Sequence, residues 1–232
     1  MTALTMTALG LILFLGIFPA IGFASARTMS RLLLDDRPPE RPSLYLNAML
    51  SQWALVVPLV TLFALTGTDL ARLGLHLSGG PAVWAGFAAV AAIHVGLLAV
   101  RARAVRSSRL RVWLWRRMHP ATRRLLPQTP ADLAAFAPVA VTAGVCEEIL
   151  FRGLPFFLLA DLPAAAVLVI SALSFGTLHL YQGVLGFAVT AIAGLAFGGL
   201  YLATGSLLPV MLLHGLYNWE VARLHLLLVD TQ

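Results

Sequence analysis

Apolar residues run in stretches of about twenty along the chain, separated by short polar, glycine- or proline-containing segments. A helix crossing a hydrocarbon layer of about 30 Å needs roughly 20 such residues, at about 1.5 Å of rise each. Windows of that length predict spans near 4–26, 44–66, 81–100, 132–159, 164–182, 184–203 and 206–228. The expected fold is all-α, a polytopic transmembrane helical bundle of about seven spans with an intramembrane polar site. Thr129-Pro130-Ala131-Asp132 reads as the start of the helix that carries that site, with Thr129 as cap, Pro130 in the first position and Asp132 in the first turn.

Composition points the same way, since 59% hydrophobic and 11% charged residues do not fit a soluble domain. The 232 residues leave no room for a sizeable soluble unit, so one integral membrane domain is expected. Within it, residues 1–128 supply N-terminal helices and a basic loop, and 129–232 hold the chemistry. The single cysteine, Cys146, rules out an internal disulfide and reads as inert packing in an apolar helix.

Charge sets the expected topology. All the basic side chains are arginine; four lie in 27–43 and nine in 101–131, against Arg72 alone in 67–80. Arginine-rich loops stay on the cytoplasmic side, which puts the N-terminus outside and suits a cytoplasmic (inner) membrane. The opening Met1–Gly10 stretch has no positive charge and Arg27 follows the first span, so that span reads as an anchor and not a cleaved signal. Between Arg101 and Arg124 the arginines interleave with Val105, Leu110, Trp113 and Trp115, as in a helix lying on headgroups and drawn to anionic lipid. A nucleic-acid partner is discarded, because a basic patch pressed against a membrane is a topology signal.

The candidate chemistry lies in the later spans. Glu147 and Glu148 sit in the middle of an apolar run, where an ionised group costs roughly 2.5–3.5 kcal/mol on insertion scales. Glu148 and Arg152 are four apart and share a helix face, whereas Glu147 is rotated by about 100° and has no sequence-local cation. Glu147 is therefore the better general base. The three residues also fit a structural ion-pair cluster between helices. Phe175 and His179 share a face in the same way, as do His214 and Asn218, a pair able to point at one oxygen or simply to join helices. His94 and His225 read as interfacial or hydrogen-bonded histidines. Thr190, Gly194 and Gly198, at four-residue steps, give a flat face for close helix approach.

Glu147-Glu148-x-x-x-Arg152, Phe175-x-x-x-His179 and His214-x-x-x-Asn218, in that order over roughly 130–220, resemble the three motifs of the CPBP intramembrane proteases. That family includes type II CAAX prenyl endopeptidases and bacteriocin-processing or immunity proteins. The resemblance implies peptide-bond hydrolysis, with Glu147 and His179 activating a water and His214 and Asn218 holding the oxyanion. Glu148, Arg152 and Phe175 would support them. The implied substrate is a peptide or a lipidated or membrane-embedded protein. The buried residues themselves predict a polar cavity open to the cytoplasm and reaching Glu147, because hydrolysis needs a water there.

The family is often labelled as metalloproteases, so a zinc form held by Glu147, His179 and His214 is the alternative. The zinc-protease signature His-Glu-x-x-His is absent, and no cofactor is favoured. Two other classes remain: a non-catalytic scaffold or immunity protein, and, more distantly, a transporter, whose usual duplicated halves are absent.

Overall fold

The computed structural model describes residues 2–37, 39–77 and 80–229. Nine helices account for the architecture among these residues, and no strand is present. In chain order they are α1 (Ala3–Leu34), α2 (Arg41–Leu65), α3 (Gly80–Arg106), α4 (Ser108–Arg117), α5 (Pro120–Leu125), α6 (Pro130–Leu158), α7 (Ala164–Thr177), α8 (Gly183–Thr204) and α9 (Leu207–Val229). Short π segments lie within α1 at Ile12–Ile17 and within α6 at Ile149–Gly153.

Among the described residues five helices are long and apolar enough to cross a membrane: Ala3–Leu34, Arg41–Leu65, Gly80–Arg106, Pro130–Leu158 and Leu180–Thr204, the last being α8 with the turn before it. The other two expected spans differ. The 164–182 window holds only the 14 residues of α7, about 21 Å of helix and short of the roughly 30 Å required. Helix α9 is long enough at 23 residues but carries His214, Asn218, Glu220 and Arg223, and it is not among the five. Helices α1 and α3 outrun their apolar windows by about two turns, because Arg27, Arg31, Arg101, Arg103 and Arg106 are good helix formers that continue into a polar layer.

The two arginine-rich connections come together at one end of the bundle. Arg41 Nε donates to the Leu126 carbonyl at 3.2 Å and Tyr45 Oη to the Leu125 carbonyl at 3.1 Å. Leu33, Leu44, Tyr45, Ala121, Leu126 and Phe136 cluster beneath them. The expected single helix over 101–124 is instead three pieces: the end of α3, then α4, then α5. Ser107 caps α4 and His119 Nδ1 accepts from the Ala121 amide, starting α5. At the opposite end the Leu207 amide donates to the Gly74 carbonyl at 2.8 Å.

Helix α6 starts where the sequence predicts, with a reciprocal capping box between Thr129 and Asp132. Gly144 lets α6 and α9 meet closely, for a Cβ there would lie 2.7 Å from the Met211 carbonyl oxygen. Gly194 does the same between α8 and Ala172 of α7, realising the flat face read from Thr190, Gly194 and Gly198.

Helix α7 lies deep in the bundle. Asp161 just before it accepts from Thr7 Oγ1 at 3.1 Å, and Gly22 packs on the backbone of Thr177 at its end. It therefore spans the levels of roughly residues 10 to 22 of α1. If Arg27 marks the membrane boundary on the basic side, the turn after α7 lies about 6–8 Å inside it.

Candidate active site

Pro155 has no amide hydrogen, so the Phe151 carbonyl loses its usual partner four residues on and the ladder opens into the π segment directly after Glu148. Ser171 of α7 supplies the missing hydrogen bond through its hydroxyl. That exchange ties α6 to α7 beside the acidic pair.

Within this segment the expected four-residue pairing forms. Arg152 Nη1 donates to Glu148 Oε1 at 2.9 Å, with both side chains fully buried. Arg152 Nη2 reaches the Gly194 carbonyl at 3.4 Å, and the guanidinium lies 4.6 Å from the Phe175 ring centre and 5.5 Å from that of Phe197. Each of these contacts offsets part of the cost of burying a cation. Glu148 also takes His214 Nδ1 at 2.6 Å, so one carboxylate oxygen holds a residue on α6 and one on α9.

The rotation of about 100° between neighbours sends Glu147 the other way. Its side chain keeps 17% exposure where Glu148 has none. Oε2 lies 3.6 Å from His214 Nε2, and Oε1 accepts from Gln52 Nε2 of α2 at 3.1 Å. Glu147, His179, His214, Asn218, Phe175 and Gln52 all line one cavity of about 250 Å³. It extends to Thr122, Leu125 and Leu126 at the basic end of the bundle. Glu148 and Arg152 stand behind its wall.

His179 follows the last turn of α7, where helix carbonyls lack partners. Its Nδ1 donates to the Phe175 carbonyl at 3.0 Å, which fixes the tautomer and leaves Nε2 as an acceptor. The Phe175 ring sits 4.8 Å from the imidazole, as the four-residue step predicts. Gly183 (φ +76°) then turns the chain into α8, a conformation that disfavours other residues.

Two of the remaining histidines and one acidic group separate clearly from the site. His225 is buried, donating from Nδ1 to the Pro127 carbonyl at 2.8 Å and stacking on Trp115. His94 on α3 does not line the cavity. Glu220 of α9, not singled out in the sequence, is buried and paired with Arg101 at 2.8 Å and Arg223 at 3.1 Å, joining α9 to α3. Gln52 and Tyr45 are among the cavity residues that sequence reasoning missed, as are Thr122, Tyr181, Gln182 and Tyr217, and for the first two the reason is that residues 1–128 were expected to inform topology alone. The available signal was a glutamine inside the apolar 44–66 window.

Among the described residues no group of three or more His, Cys, Asp or Glu side chains is placed to hold a metal ion, although Glu147, His179 and His214 share the cavity. The metalloendopeptidase reading therefore draws no support from the donor geometry.

Helices able to cross a bilayer, enclosing carboxylates and histidines around one cavity, define a polytopic membrane protein with an intramembrane polar site. Residues 129–219 match the family described as type II CAAX prenyl endopeptidase Rce1-like. The match covers all three motifs and supports the resemblance of this segment to the CPBP family of proteases. No curated protein and no solved structure matches the chain.

Proposed function

We propose that the protein is an intramembrane endopeptidase in which Glu147 and His179 activate a water and His214 and Asn218 hold the oxyanion. The observation that carries this reading is the shared cavity, with the less buried carboxylate facing it and the more buried one tied to Arg152. His179 Nε2, its lone pair free of the Phe175 carbonyl, orients the water, and Glu147 takes the water proton. The resulting hydroxide attacks the scissile carbonyl carbon. The oxyanion is met by Asn218 and by His214 Nε2. Since Nδ1–H is committed to Glu148, donation from Nε2 requires the imidazolium, whose charge Glu148 balances. Two carboxylates, Arg152 and His214 then sum to no net charge. When the tetrahedral adduct collapses, the C–N bond breaks and the amine leaves with the proton carried by Glu147.

A positioned base supplies about a hundred- to ten-thousandfold, and a well-placed oxyanion donor roughly 2.7–4 kcal/mol. The family description brings a prenylated C-terminal peptide to this chain as the leading substrate class, alongside other lipidated or membrane-embedded protein segments. Apolar lining by Phe136, Val139, Val189 and Ala193 favours such substrates. The meeting of both arginine-rich connections at one end supports a cytoplasmic placement for that end and for the cavity mouth, with the N-terminus outside and the host membrane the cytoplasmic one. On the exposed face of α4, Arg109, Arg116 and Arg117 surround Val112 and Trp113, which suits anionic headgroups.

The test is cleavage of quenched peptide and prenyl-peptide libraries by purified protein, wild type and Glu147→Ala, with and without chelator. Loss on substitution alone supports the reading. Loss with chelator, restored by zinc, replaces it with a metal-dependent form. Full activity of Glu147→Ala ends it.

A further inference from the structure

Helix α2 brings Tyr45, Ala48 and Gln52 to the cavity at steps of three and four residues. The middle of the three, Ala48, is the smallest. The register of α2 on α6 is held next to the site by Trp53, whose Nε1 donates to Thr142 Oγ1 at 3.4 Å. Gln52 is thus delivered to Glu147 by a helix outside the region matching the protease family.

A glutamine amide presents an oxygen at one end and a nitrogen at the other, and the partner decides which faces it. An ionised carboxylate only accepts, so Nε2 must face Glu147 Oε1, as the 3.1 Å separation has it. The amide oxygen of Gln52 then has no protein hydrogen-bond partner among the described residues. With Oε1 committed to Gln52, Glu147 has one oxygen, Oε2, turned toward His214 Nε2 at 3.6 Å.

We propose that Gln52 is a positioning residue of the active site: its amide donates to Glu147 Oε1 and so selects Oε2 as the oxygen that takes the water proton. The inference rests on the hydrolytic reading above. It also gives the N-terminal helices a part in the reaction beyond anchoring, because the base on α6 is aimed from α2.

Steady-state kinetics of full-length Gln52→Leu, Gln52→Met and Glu147→Ala in detergent, on one cleaved peptide, tests this. Methionine keeps the unbranched length of glutamine but offers no donor. Donation predicts that both Gln52 variants lose kcat by about tenfold to a hundredfold, the loss of one hydrogen bond to a charged group, with KM within about twofold. A packing role predicts that Gln52→Met equals wild type while Gln52→Leu is impaired, and that result overturns the proposal. Wild-type kcat in both variants beside an inactive Glu147→Ala overturns it too and leaves the hydrolytic reading standing. An active Glu147→Ala removes both. If Gln52→Leu fails to fold, the Gln52→Met comparison decides alone.

Discussion

Replacing Arg152 by Met separates the electrostatic role of the buried arginine from its bulk. The side chain is fully buried, and the substitution removes the 2.9 Å pair with Glu148, the bond to the Gly194 carbonyl and the stacking on Phe175 and Phe197. Breaking a buried pair by removing one partner costs roughly 3–5 kcal/mol, chiefly because the other charge is stranded. Glu148 keeps His214 at 2.6 Å, which places the expected cost at the lower end, about 3 kcal/mol. At about 2–4 °C per kcal/mol for a chain of this size, the melting temperature should fall by roughly 6–12 °C. The lone, fully buried Cys146 supplies the assay, since a fluorogenic maleimide labels it only on unfolding. The double variant Arg152→Met with Glu148→Gln removes both charges and should regain at least half of the loss. A single variant that melts within about 2 °C of wild type, or a double variant no better than the single, refutes the stranded-charge reasoning.

Other substitutions probe neighbouring links. Ser171→Ala leaves the Phe151 carbonyl unsatisfied beside the π segment and should destabilise by about 1–3 kcal/mol in the Cys146 assay. Gly144→Ala pushes α6 from α9 and should lower peptidase activity at least tenfold by loosening the Glu148–His214 bond, whereas Gly199→Ala, with open space around it, should leave kcat unchanged. In bilayers, brominated anionic lipid should quench tryptophan fluorescence more than brominated zwitterionic lipid. The excess should shrink in Trp113→Phe and on Arg116→Gln with Arg117→Gln, each arginine contributing about 1 kcal/mol.

What the sequence disclosed is local in origin. The capping box at Thr129, the Glu148–Arg152 pair and the Phe175–His179 stack each depend on three- or four-residue steps, and all three form. The gathering of the three motifs into one cavity followed from their being polar groups in apolar helices with nowhere else to go. Three features were hidden for a physical reason. Gln52 meets Glu147 across 95 residues of chain, and no sequence period marks a pairing between helices that far apart. The shortness of α7 was also hidden, since Leu178 and Leu180 continue the apolar run, while the helix is ended by His179 binding the Phe175 carbonyl and by the positive φ of Gly183. Glu220 was missed similarly, as its partner Arg101 lies 119 residues away.

The account turns on Glu147 as the base, and its most direct measurement is the kcat of Glu147→Gln against wild type on one cleaved peptide, with Cys146 unreactive in both samples. The isosteric amide keeps the shape but accepts no proton, so the account predicts a fall of about a hundred- to ten-thousandfold. A kcat within tenfold of wild type would contradict it.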